Sequence, residues 1–122
     1  MVGVRAEDLE TDEQFDVRAR VVINAAGVWT DEIQEMVGGR GSFNVQASKG
    51  IHLVVPRDRI RSEAGFITKT EKSVLFVIPW GTHWIIGTTD TDWNLDLAHP
   101  AATKADIDYI LDRVNTVLVT QL

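Results

Sequence analysis

His52 interrupts an otherwise apolar run, Ile51-His52-Leu53-Val54-Val55, directly after Lys49-Gly50. A histidine so placed can exchange a proton with a substrate hydroxyl, because imidazole ordinarily titrates near neutrality. A hydrogen-bonded structural histidine is the alternative. A second apolar run, Ile85-Ile86-Gly87, ends in Thr88-Thr89-Asp90-Thr91, whose hydroxyls and carboxylate either meet a ligand or satisfy a turn. Lys49 is a phosphate contact or a surface charge. A third junction, Val21-Val22-Ile23-Asn24-Ala25-Ala26-Gly27-Val28-Trp29, leads from an apolar strand through a glycine turn to a helix. That arrangement admits an anionic ligand to free amides, or it is a plain strand-to-helix turn. Scaffolds usually hold ligands at polar strand ends of this kind. Three of them in 122 residues suggest part of a cofactor-dependent enzyme.

Other chemistries find less support. Gly39-Arg40-Gly41 lacks the third glycine of a dinucleotide fingerprint and follows a helix rather than a strand. Asp90, Asp92 and Asn94 imitate the start of a calcium loop, but Leu95 stands where glycine must turn the chain and Ala101 where a carboxylate is required. The histidines, at 52, 83 and 99, are too dispersed for a metal centre. Cysteine is absent, which removes disulfides and thiolate metal sites. A net charge of -6 leaves no electrostatic footprint for nucleic acid. Arg57, Arg59 and Arg61, spaced by two, would share one side of an extended loop, either docking an anion or facing solvent. No apolar run approaches the ~18 residues of a membrane span, and the N-terminus lacks a signal-peptide pattern. A cytoplasmic setting is therefore the default expectation.

The elements that must position these groups follow from periodicity. Alternation at Val2 and Val4, and again from Phe15 to Val21, with a polar turn over residues 10–13, predicts a hairpin. Its second strand becomes continuously apolar at Val21-Val22-Ile23, as expected for burial on both faces. Thr30 is expected to cap a short helix, with Asp31 and Glu32 at its positive end, Ile33, Met36 and Val37 as its apolar face, and Gly38-Gly39 as its stop. Strands are predicted over residues 43–47, 51–55, 66–69, 74–79 and 84–89, the last three as an antiparallel meander. The non-alternating Val74-Leu75-Phe76-Val77-Ile78 belongs in mid-sheet. Trp80, Trp84 and Trp93 are expected in core and rim packing. Thr103 and Asp106 make a capping box for a helix whose apolar stripe is Ile107, Ile110, Leu111, Val114, Val117 and Leu118.

In order and spacing, the 22–29 segment, Ser48-Lys49-Gly50-Ile51-His52-Leu53-Val54-Val55-Pro56, Phe76-Val77-Ile78-Pro79-Trp80 and Gly87-Thr88-Thr89-Asp90-Thr91 resemble the middle of the FAD-dependent glycerol-3-phosphate dehydrogenases. His99-Pro100, Asp106-Ile107 and Tyr109-Ile110-Leu111 are similar to that family too. The resemblance implies oxidation of sn-glycerol 3-phosphate to dihydroxyacetone phosphate, with hydride passing from C2 to FAD and electrons onward to a membrane quinone. It implies flavin contact at Asn24, Ala25, Ala26, Gly27 and Trp29, a catalytic base at His52, and substrate contacts at Lys49, Thr89 and Asp90, with no metal. The implied fold is α+β, a mixed, mostly antiparallel sheet with two helices from a two-domain flavoenzyme. Residues 1–40 would belong to the FAD-binding domain and 41–122 to the substrate-binding cap.

Two departures qualify the resemblance. Ser73 stands where family members commonly carry arginine, so a phosphate contact there would need another cation. Family enzymes are several times longer and open with a glycine-rich FAD fingerprint that this sequence lacks. The chain is therefore expected to be a central segment, inactive alone, with little or no FAD and a tendency to self-associate. The parent enzyme is expected in the cytoplasm, peripheral to the inner face of the membrane. A flavin-dependent amine oxidase and a non-catalytic binding module are the alternatives.

Overall fold

The computed structural model describes residues 2–39, 44–71 and 73–122. They fall into two compact units, Met1–Val45 and Gln46–Leu122.

In the first unit, β1 (Gly3–Asp8) and β2 (Glu13–Arg18) form the expected antiparallel hairpin, with Arg5 opposite Asp16. The Asp8 carboxylate shapes its turn by accepting from the Glu10 and Thr11 amides. The apolar run beyond it does not become a buried strand. Residues 19–26 have no regular structure, and Val21 and Ile23 are exposed. A strand buried on both faces needs partners at its edges and layers above and below. Among its described residues this unit supplies only the hairpin and a short helix. That helix, α1 (Thr30–Met36), continues directly from a 3-10 turn at Gly27–Trp29. Thr30 is thus inside the helical run and does not cap it; Trp29 holds the cap position without a side-chain bond. Gly38, with φ of 86°, stops the helix as expected. Of the apolar stripe only Ile33 is partly buried, while Met36 and Val37 face outward.

The second unit packs one sheet against one helix. Strands β4 (His52–Pro56), β5 (Phe66–Lys69), β6 (Val74–Trp80) and β7 (His83–Gly87) lie in the order β4-β7-β6-β5, all antiparallel. The predicted meander is present, and β6 is interior. Period-2 alternation sends Leu75, Val77, Trp84 and Ile86 to one face, where they are fully buried with Ile110 and Val114 of α2 (Lys104–Asn115). The predicted capping box is formed: Thr103 Oγ1 accepts from the Asp106 amide, and Asp106 accepts from the Thr103 amide. The helix ends earlier than its apolar stripe, so Val117 and Leu118 belong to a following turn.

A separate two-strand ladder joins β3 (Ser48–Lys49) to β8 (Thr91–Asp92). The strand predicted over residues 43–47 falls partly outside the described residues; residues 44–47 are irregular and pairing starts at Ser48. Among the described residues the α+β class with two helices holds, and all pairing is antiparallel, distributed over three small sheets. Because Ile110 is fully buried between helix and sheet, Ile110→Ala is expected to cost about 2–5 kcal/mol in a urea unfolding titration. A cost below about 1 kcal/mol would mean that α2 does not pack on the sheet.

Candidate functional site

His52 opens β4, the edge strand of the sheet, and its register partner is Gly87 at the end of β7. Alternation directs His52 and Val54 to the face opposite α2, together with Ile78, Trp80 and Ile67, all of them exposed. Phe76 pairs with Gly87 from the other side, so His52, Gly87 and Phe76 form one row. Glycine is what lets the imidazole lie there. A Cβ at position 87 would come within 2.5 Å of His52 Cδ2 and 2.8 Å of the Ile51 carbonyl oxygen. Gly87→Ala is therefore expected to push the imidazole off this row, which NMR of the ring protons would register as a changed environment. An unchanged ring signal would show that His52 is held some other way.

The Thr88–Thr91 turn leaves β7 beside this row. Thr89 is buried; its Oγ1 accepts from the Ile51 amide at 3.1 Å and donates to the Lys49 carbonyl at 3.4 Å. Thr88 Oγ1 donates to the Thr89 carbonyl and packs on Gly50, where a Cβ would come within 2.6 Å of it. Asp90 is exposed. Thr88, Thr89, Asp90, Thr91, Ser73 and Tyr109 line a depression of about 220 Å³. The Thr89–Ile51 bond ties this turn to the residue before His52, but the depression lies against Thr103, Asp106 and Tyr109 at the start of α2, and His52 does not line it.

Lys49 is not turned toward that opening. Its ammonium is buried, 2.6 Å from Asp106 Oδ2, and donates also to the Ala101 carbonyl at 3.0 Å, with the Trp93 ring 4.7 Å away. Asp106 accepts further bonds from the Thr103 amide and hydroxyl and from Thr91 Oγ1. The Lys49 hydrogen bond, more than any other contact, holds the Asp106 carboxyl well below the usual carboxylate range, and the Thr103 amide adds to it. Sequence reasoning read Asp106 only as a helix cap. The usable signal was a lysine flanked by apolar and small residues, which requires an anion once buried.

The arginine cluster is not extended: Arg57–Arg59 form a 3-10 turn after Pro56. Arg57 stacks 3.9 Å from the buried Trp84 ring and donates to the Ser62 and Glu63 carbonyls, while Arg59 and Arg61 are exposed. Trp80, expected in packing, is exposed on the open sheet face, because its strand alternates where the sequence did not.

In the first unit, Asn24 shapes the turn expected to meet a flavin. Its Oδ1 accepts from the Ala26 amide and its Nδ2 donates to the Thr30 carbonyl. Gly27 has φ of 58°, a conformation that favours glycine, and a Cβ there would meet nothing within 4 Å. Ala25, Gly27 and Trp29 are exposed. An open backbone with unfilled space at Gly27 fits the close approach of a large planar cofactor. Among the described residues no cluster of side chains could hold a metal ion.

Comparison with known proteins gives this geometry a context. The family described as FAD dependent oxidoreductase matches residues 2–122. The chain is 66% identical over its whole length to glycerol-3-phosphate dehydrogenase of Mycobacterium leprae (strain TN), of which it covers 21%. It is 38% identical, over 94% of its length, to the alpha-glycerophosphate oxidase of Streptococcus pyogenes serotype M6, covering 19% of that protein. The solved structure of glycerol-3-phosphate dehydrogenase from Bacillus halodurans, complexed with FAD, matches 98% of the chain with a TM-score of 0.85 and 37% identity; 25% of that chain is covered. The chain thus spans about a fifth of the length of the curated relatives it matches.

Proposed function

We propose a function from one premise: the chain belongs to the family of FAD dependent oxidoreductases. It is a central portion of a flavoenzyme that oxidises sn-glycerol 3-phosphate to dihydroxyacetone phosphate. The names of the mycobacterial and streptococcal relatives support that substrate, and they weigh against an amine oxidase or a binding module without chemistry. Residues 1–40 belong to its FAD-binding domain and 41–122 to its substrate-binding cap.

The observation that carries the reading is His52, held over Gly87 on an open sheet face beside the Thr88–Asp90 turn. Asn24, Ala25, Ala26, Gly27 and Trp29 would help hold FAD, which would supply the acceptor for the C2 hydride. His52 takes the proton of the C2 hydroxyl as that C–H bond breaks, leaving the ketone. Thr89 fixes the turn, and the exposed Asp90 carboxylate follows it as the candidate partner for a substrate hydroxyl. Electrons then pass to a membrane quinone from an enzyme that is cytoplasmic and peripheral to the inner face of the membrane. No described helix is long and apolar enough to cross a membrane.

The full-length protein that carries this chain, assayed with glycerol 3-phosphate against amino acids, tests the substrate; turnover of amino acids alone would refute it. Comparing a soluble quinone with oxygen separates dehydrogenase from oxidase chemistry. The chain by itself holds only part of the flavin site, so it is expected to purify without stoichiometric flavin absorbance. It exposes Val21, Ile23, Trp29, Val54, Ile67 and Trp80, and is expected to self-associate. A monodisperse, yellow monomer by light scattering and absorbance would contradict both.

A further inference from the structure

A charged pair 3% and 4% exposed is a costly way to join a strand to a helix, because both groups leave water. Apolar side chains of similar volume would join them at least as stably. What apolar packing lacks is direction. Here hydrogen bonds at the Lys49 ammonium and at the Lys49 carbonyl form a series joined through the lysine side chain. Thr103 and Thr91 donate to Asp106, Asp106 accepts from Lys49, the Lys49 carbonyl accepts from Thr89, and Thr89 accepts from the Ile51 amide. Ile51 is the residue before His52. The series starts at the first turn of α2 and ends at the Ile51 amide, one residue before the imidazole that lies over Gly87.

We propose that the buried Lys49–Asp106 pair is a positioning device for the proton acceptor: it fixes the Lys49–Ile51 turn against the start of α2 and thereby holds His52 in register with Gly87. Lys49 acts through this frame and not by touching substrate, since Asp106, the Ala101 carbonyl and the Trp93 ring surround its ammonium. The catalytic part of this inference rests on His52 being the base proposed above; the structural part does not.

The test uses the full-length flavoenzyme with two variants. Lys49→Met/Asp106→Leu replaces the pair by apolar bulk, and Asp106→Asn keeps the shape while removing the charge. Both are expected to retain the parent's flavin content and cooperative unfolding. Both should lower kcat about 10–100-fold while KM for glycerol 3-phosphate moves less than about threefold, the pattern of a misplaced catalytic group. Hydrogen exchange of the peptide covering 49–55 should quicken in both. A parent that does not oxidise glycerol phosphate would sink the proposed function, and the exchange measurement would still decide the positioning role. Parent-like kcat together with parent-like exchange in either folded variant overturns the proposal. Should the double variant fail to fold, Asp106→Asn decides on the same two readouts.

Discussion

Glutamine at position 52 is expected to lower kcat of the full-length enzyme on glycerol 3-phosphate by about 10²–10⁴-fold, the usual worth of a positioned general base. Glutamine keeps the polarity and much of the volume but cannot take a proton at neutral pH. The unfolding midpoint of the chain by itself should barely move, because His52 is exposed there on the open face of the sheet and exposed substitutions are usually worth within about 0.5 kcal/mol. The loss should lie in kcat more than in KM, since the proton moves only in the transition state. It should also remove the limb of the pH–rate profile that reports the base. Steady-state kinetics across pH on both proteins make the check. A fall of less than about threefold would show that another group accepts the proton.

Lys49→Met is expected to destabilise the second unit by about 3–5 kcal/mol, because it leaves the Asp106 carboxylate buried without its cation. Lys49→Met/Asp106→Leu should recover only part of that loss, because the cap that Asp106 gives α2 goes with it. The pair should also be visible in acid. The Asp106 carboxyl is held below its ordinary 3.8, mainly by the Lys49 hydrogen bond, so the folded state binds its proton less readily than the unfolded chain. Its contribution is therefore complete above that ordinary value and is lost as the pH falls through the lower, folded one. Parent and Asp106→Asn should differ most near neutrality and converge in strong acid. Urea titrations at a series of pH values, followed by fluorescence of the fully buried Trp84, provide the measurement. A single-variant cost below about 1 kcal/mol would mean that the pair behaves as a solvated one.

The same network explains why one expected contact took a different place. A lysine beside a glycine at a strand end suits a phosphate equally well on the surface or beneath it. Sequence spacing has no information about Asp106, 57 residues away, until the ladder of Ser48–Lys49 with Thr91–Asp92 brings α2 close. Asp106 gave its helical role away because capping is local: Thr103 and Asp106 lie three residues apart and need nothing else.

Local chemistry in the sequence was enough for much of this protein. Apolar runs bounded by turn residues located β5, β6 and β7 within a residue or two, and periodicity at Ile110 and Val114 located the buried side of α2. Four motifs in order located the family, because their residues and spacing are written into the chain. Tertiary structure decided which side of each strand faces the core. The run from Val74 to Ile78 is apolar throughout, yet only Leu75 and Val77 meet the helix. It also decided that the Val21–Ile23 run has no strand partner among the described residues of its unit, and that Lys49 turns inward to Asp106. Burial and ion pairing depend on residues distant in sequence, so they exist only once the chain has folded.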